Sequence, residues 1–358
     1  MFGLLRLWLF VYLLSCALPE RVEASLRGGR DTQLSTNVLY AADAIYAGKA
    51  LEVKEASWDT LSLGGGARIK GAWNLATFSV DHVIKGRATS SVAIKFFVPH
   101  EGLRGTFWEA VPKHDRCMVF LAVDEEQRGG YVLLDSAPVI LLAKEPPPSV
   151  LAMQKTEIAG IRAELLAAAE FGEVSIALQS IRILPQLGFV DQKALGVLRR
   201  LSNHVEPEIK GAALAVRVRS GDTNAIPAAV KFAESTVCSE GQRTAIASAL
   251  RELTSGAYVS ELANVMKSED AHLRRAASYA LRYSQMKSVN LLPLFVRYLG
   301  DSDPEVQYNA LMGIARIDGT VGELAPSYVE FHKAPQQYIS KRQGWWDKNK
   351  GRFAPKQK

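Results

Sequence analysis

The chain has 358 residues, 48% of them hydrophobic and 22% charged, with a formal net charge of +6. That composition excludes a disordered or collagen-like chain and suits two or three globular domains. The excess charge is local, because residues 341–358 hold seven Lys and Arg against one acid while 36 bases balance 36 acids elsewhere. A broadly basic surface is therefore excluded, and no nucleic-acid partner is expected.

Residues 1–24 have the pattern of an export signal. Arg6 supplies the positive start, Leu7 to Leu18 form an apolar core interrupted by Ser15, and Pro19 ends it. Val22-Glu23-Ala24 presents a cleavage site after Ala24. A 12-residue core is too short for a bilayer, which needs about 20 residues. Leu13-Leu14-Ser15-Cys16 is similar to a bacterial lipoprotein box, with Cys16 as the lipidated residue. The expected product is periplasmic or secreted, with lipid anchoring through Cys16 as the alternative. Cys117 and Cys238 fall in different predicted modules and either pair across them or remain as two buried thiols.

From 38 to 145 the hydrophobic period is two. Strand composition covers Ala44 to Val53, Trp73 to Ile84, Ser91 to Val98, Cys117 to Val123 and Tyr131 to Asp135. Gly64-Gly65-Gly66, Lys85-Gly86 and Gly129-Gly130 punctuate them as turns. Five strands in so short a segment suit a small closed barrel. The runs Ala42 to Ala50, Ala76 to Gly86 (with its Val83-Ile84-Lys85-Gly86 turn) and Arg116 to Ala122 resemble the OB-fold domain of tissue inhibitors of metalloproteases and its bacterial relatives. The resemblance implies a five-stranded OB-like β-barrel and, as one functional expectation, protease regulation. Inhibitors of that family place an N-terminal cysteine amine on the target's zinc. No cysteine lies between Ala24 and the first strand here, so that wedge is missing.

Glu145-Pro146-Pro147-Pro148-Ser149 predicts a stiff linker at 146–149. Beyond it, over 150–335, the period becomes 3.6. Leu273, Ala276, Ala277, Ala280 and Leu281 share one helical face, with Arg274, Arg275 and Arg282 expected to face away. Leu273, Ala277 and Leu281 recur as Val306, Ala310 and Ile314; Pro207-Glu208-Ile209, Ala213-Leu214 and Arg219 recur as Pro304-Glu305-Val306, Ala310-Leu311 and Arg316. Each copy is followed by a second helix, as at Ala225 to Glu234, Val259 to Met266 and Leu291 to Leu299. Asp303-Pro304-Glu305 is a helix start: a capping carboxylate, a proline where its missing N–H is harmless, and an acid at the positive end. The pattern resembles a HEAT-repeat array near the short variety of phycobilisome lyases, with Val150 to Phe171 as its first capping helix. The expected fold is thus α+β and multidomain, an OB-like barrel followed by an all-α HEAT-type solenoid.

The segment 336–358 gathers Lys341, Arg342, Trp345, Trp346, Lys348 and Lys350. Such a basic, tryptophan-containing tail either meets an anionic surface or docks its rings on the open end of the last repeat. The sequence holds no G-x-S-x-G, H-E-x-x-H, phosphate-loop or dinucleotide motif. His100, His114, Asp115 and Cys117 match no metal spacing, and no catalytic residue, cofactor or metal is expected. The leading expectation is a non-catalytic extracytoplasmic scaffold that binds a protein partner on the concave solenoid face. A chromophore lyase, implied by the HEAT resemblance, is the third.

Overall fold

In the computed structural model, residues 36–62, 68–99, 111–124, 130–134, 139–151, 156–286, 288–319 and 324–353 are described. The export segment with Cys16, the Gly64-Gly65-Gly66 turn and His100 lie outside them. The chain divides into two compact units between Phe189 and Val190.

The first unit opens with α1 (Thr36–Ala41) and continues as six strands: β1 (Ala44–Ser62), β2 (Arg68–Lys85), β3 (Ser91–Pro99), β4 (Arg116–Val123), β5 (Tyr131–Leu133) and β6 (Ile140–Leu141). Period-two patterning sorts β2 as expected, burying Ala76, Phe78 and His82 and exposing Thr77 and Asp81. The pairings run β1-β2-β3-β5-β4 and return to β1, with β6 added on β4. All are antiparallel except β3–β5, which spans only Ile94↔Tyr131 and Lys95↔Val132. Four register shifts bend β1 enough to serve both β2 and β4. At Gly48 a Cβ would lie 1.9 Å from the Ser79 carbonyl oxygen, so this crossing point requires glycine. Tyr46, Phe78, Ile94, Val119 and Leu121 form the apolar centre.

Sequence periodicity placed the module boundary at 146–149, yet the next helices join the sheet. These are α2 (Pro148–Leu151), α3 (Glu157–Phe171) and α4 (Val174–Gln186). Helix α3 packs on β2 and α4 on β6, where Gln179 Oε1 accepts from the Leu141 N–H at 3.1 Å. Within Val150 to Phe171, helix α3 is thus fastened to the sheet, with α2 packed on α3.

The second unit alternates short and long helices. The long ones are α6 (Pro207–Arg219), α8 (Glu240–Arg251), α10 (Ala271–Arg282) and α12 (Pro304–Asp318). The short ones are α5 (Gln192–Leu201), α7 (Ala225–Ala233), α9 (Val259–Val265) and α11 (Leu292–Tyr298). Long helices pack side by side in sequence order, and each short helix packs on the long helix after it. Small residues permit the close approach: Ala213, Ala249, Ala277 and Ala310 are fully buried. Asp303 caps α12 through its side-chain oxygen, as the sequence signal predicts, and Asp270 caps α10 in the same way. Helices α13 (Tyr328–Lys333) and α14 (Pro335–Asn349) close the array, α14 packing on both α12 and α13.

Candidate functional site

Each long helix carries an arginine in its last turn: Arg219, Arg251, Arg282 and Arg316. Arg219 donates to Glu252 at 3.0 and 3.1 Å. The other three meet aromatic rings instead. Arg251 lies 3.7 Å from the Tyr279 ring centre, and Arg282 lies 4.9 Å from those of both Tyr283 and Tyr308. Arg316 sits 5.7 Å from Tyr283 and donates to the Arg282 carbonyl at 3.2 Å. Tyr279 and Tyr283, one turn apart, have ring centres 4.5 Å apart, and Tyr328 meets Tyr308 edge-on at 5.3 Å. The result is one arginine–tyrosine stripe across three successive long helices. Arg251, Tyr283, Arg316 and Tyr328 are exposed. Beside it lies a shallow depression lined by Arg282, Met286, Phe295, Arg316 and Ile317 among others, with room for about one water molecule.

Several other arginines of the array hold carboxylates, while Arg297 lies 5.8 Å from the Tyr298 ring centre. Arg217 donates to Asp222 at 3.0 Å, and Arg243 pairs with Asp270 at 3.0 Å. Arg274 grips Asp301 with two bonds of 2.9 and 3.0 Å, and Arg275 meets Asp303 at 2.6 Å. Arg274, Arg275 and Arg282 lie off the buried face, as expected. The stems leave the buried face, but the guanidiniums reach sideways to the start of the following repeat, and Arg282 donates to Asn309 at 3.2 Å. The Asp301 carboxylate raises the Arg274 pKa above its ordinary value. Arg274→Ala leaves a buried carboxylate without its two-pronged donor, so an expected loss of about 1–3 kcal/mol is to be read from thermal melts.

The C-terminal residues singled out by sequence lie on α14, and the helix separates them. Arg342 is fully buried, donating to Asp318 at 2.7 Å and to the Leu324 carbonyl at 2.6 Å. Burial lowers its pKa, against the opposing pull of Asp318. A free surface role for Arg342 is therefore corrected. Trp345 and Trp346 are half-buried, meet Phe353 at 5.9 and 6.3 Å, and pack on the helical core. Lys341, Lys348 and Lys350 are exposed, with Lys350 3.1 Å from Asp347. Of the two arrangements left open for the tail, the rings take the docked one.

A second charged constellation lies within the first unit, and sequence reasoning missed it. Arg116 on β4 donates to both oxygens of Asp81 on β2 at 2.8 and 2.9 Å. It also donates to both oxygens of Glu164 on α3 at 2.8 and 2.7 Å. His82 Nδ1 sits 2.7 Å from the same Glu164 carboxylate. Arg116, Glu164 and His82 are buried. Burial would raise the Glu164 pKa, but hydrogen bonds from Arg116 and His82 outweigh it and hold the carboxyl below its ordinary value. Each donor is already engaged, so the cluster fastens α3 to the sheet. Its only signal in the sequence was His82 at an inward strand position.

Cys117 and Cys238 are free and buried, one in each unit. Burial, helped by Asp115, pushes the Cys117 thiol up to about 12, which makes it a poor nucleophile at neutral pH. His114 and Asp115 are exposed while Cys117 points into the sheet core, so they do not converge. Among the described residues no group of three or more potential ligands gathers around a metal-sized space. No described helix is long and apolar enough to cross a membrane.

No family model matches the chain, and no curated protein matches it. Among solved structures it is similar to the crystal structure of an engineered protein from a structural genomics consortium. The identity is 20%, the match covers 45% of this chain and 80% of that one, and the TM-score is 0.31.

Proposed function

We propose that this chain is a non-catalytic, exported binding scaffold that holds a protein partner on the arginine–tyrosine stripe of its helical array. The observation that carries the reading is the set of three guanidiniums, Arg251, Arg282 and Arg316, stacked on tyrosine rings with no carboxylate partner among the described residues. Arginine and tyrosine are the side chains most enriched where protein interfaces concentrate their binding energy. The partner surface expected on a concave solenoid face is assigned here to this stripe. The array is read as HEAT-type because its long helices repeat their alanine, leucine and terminal arginine positions. The sheet is read as an OB-type barrel because its pairings cycle back to β1 through one parallel β3–β5 step. Export rests on the pattern of residues 1–24.

The test is crosslinking capture from the native cell envelope with the tagged full chain and its Arg251→Gln/Arg282→Gln/Arg316→Gln variant. The wild type is expected to enrich a protein that the variant recovers at least tenfold less well. Equal recovery by both would remove the stripe from the binding surface.

A further inference from the structure

Independently of the stripe, we infer that the C-terminal end of the helical unit is an electrostatic contact for an anionic lipid surface, made by basic side chains that α14 and the residues after it present outward. The first ground is where the charge lies. Residues 190–340 hold 17 Lys and Arg against 16 Asp and Glu, so the rest of the unit is close to neutral. Residues 341–358 hold seven Lys and Arg against Asp347. Of these seven, Arg342 is turned inward onto Asp318 and is lost to the surface. Lys341, Lys348, Lys350 and Arg352 are exposed, and Lys356 and Lys358 follow outside the described residues. Asp347 lies 3.1 Å from Lys350 and offsets one charge of the six. A charge so concentrated at one end of a balanced unit turns that end toward an anionic surface.

The second ground is the chemistry that the segment offers and the chemistry that it withholds. Trp345 and Trp346 pack on the helical core and against Phe353. Their rings are engaged there and are not spread as the stacking platform that single-stranded nucleic acid uses. The six outward charges are five lysines and Arg352. Lysine is a hydrated point charge without the planar fork that selects one carboxylate or phosphate. Such charges suit a plane of anionic headgroups, where each one near the surface strengthens binding about fivefold. The export reading brings the chain beside the membranes of the envelope, and the choice of a lipid surface rests on that part of the proposed function.

The test is cosedimentation of the full chain with vesicles of phosphatidylglycerol and phosphatidylcholine, against vesicles of phosphatidylcholine alone, at low salt and at about 0.5 M salt. All forms of the chain share residues 1–24, so uptake through that apolar segment is common to them and is read from the neutral vesicles. The wild type is expected to bind the anionic vesicles at least about thirtyfold more tightly at low salt and to lose that preference at high salt. Lys348→Gln/Lys356→Gln/Lys358→Gln is expected to weaken anionic binding at least about thirtyfold. Lys193→Gln/Lys231→Gln/Lys267→Gln removes the same charge from exposed sites elsewhere on the unit and should change it less than about threefold. The inference is overturned if both vesicles bind alike, if the tail variant binds as the wild type does, or if the two variants weaken binding equally. Tighter binding of a single-stranded oligonucleotide or a glutamate-rich peptide of matched charge also overturns it. Both variants leave Arg251, Arg282 and Arg316 in place, so envelope capture through the stripe stands or falls separately.

Discussion

Replacing Glu164 with alanine is expected to destabilise the first unit by about 3–5 kcal/mol, the usual cost of removing one member of a buried ion pair. Glu164 accepts from Arg116 on two atoms and from His82 on one, and its side chain is shielded from water. The truncation leaves Arg116 buried with Asp81 as its remaining carboxylate partner, strips His82 of its acceptor and opens a void under α3. Urea denaturation followed by circular dichroism reads the loss directly. Glu164→Leu/Arg116→Leu should recover part of it, because neither buried charge is then stranded and Asp81 is partly solvated. A cost below about 1 kcal/mol for Glu164→Ala would mean that the network does not fasten the helix.

The same carboxylate sets a pH dependence. Its folded pKa lies below the unfolded one, so its stabilisation is fully present above the unfolded value of about 4.3. It is lost as pH falls from there through the depressed folded value. Wild-type stability should therefore drop steeply below about pH 4, and Glu164→Gln should flatten that fall while lowering stability at neutral pH.

Ala277→Arg is expected to cost the helical unit more than about 3 kcal/mol, since overpacking alone costs 1–3 and an unpaired buried charge adds to it. Ala277 is fully buried on α10, which packs between α8 and α12. Ala310, one repeat on, should behave alike. The loss must exceed that of Arg274→Ala, whose stem lies at the edge of the same helix. Because an array sums intrinsic and neighbour terms, helical dichroism should fall before the sheet unit melts. A melt in which Arg274→Ala is as harmful as Ala277→Arg would place the interface on the arginine ladder.

What the sequence disclosed follows from what a period can carry. Alternation located five strands because Ala76 and Phe78 face inward between exposed Thr77 and solvent-facing Asp81. It missed β6, since Ile140 and Leu141 are too few to show a period. It also stopped β1 at Val53, because Lys54 to Thr60 are exposed and polar apart from Trp58 and Ala56. The repeats were visible in their caps and in Ala277 and Ala310. The unit boundary was not, because α3 and α4 share the 3.6 period of the array. Long-range pairings tie them to the sheet, Glu164 with Arg116 48 residues away and Gln179 with Leu141 38 residues away. A helical wheel likewise gives the direction of Arg274 but not its reach to Asp301. Arg219 and Arg316 were seen to recur; Arg251 and Arg282 fill the places between them, and it took the packed helices to show that three of the four share tyrosine rings.

The most direct test of the central claim is site-specific photocrosslinking in the native envelope, with the photoreactive residue at Tyr283 on the stripe or at Lys231 on the short-helix layer. The account predicts one dominant protein adduct from position 283, diminished by Arg282→Gln/Arg316→Gln, and none of comparable yield from position 231. Adducts from position 231 alone, or an adduct at 283 indifferent to the arginines, would contradict it.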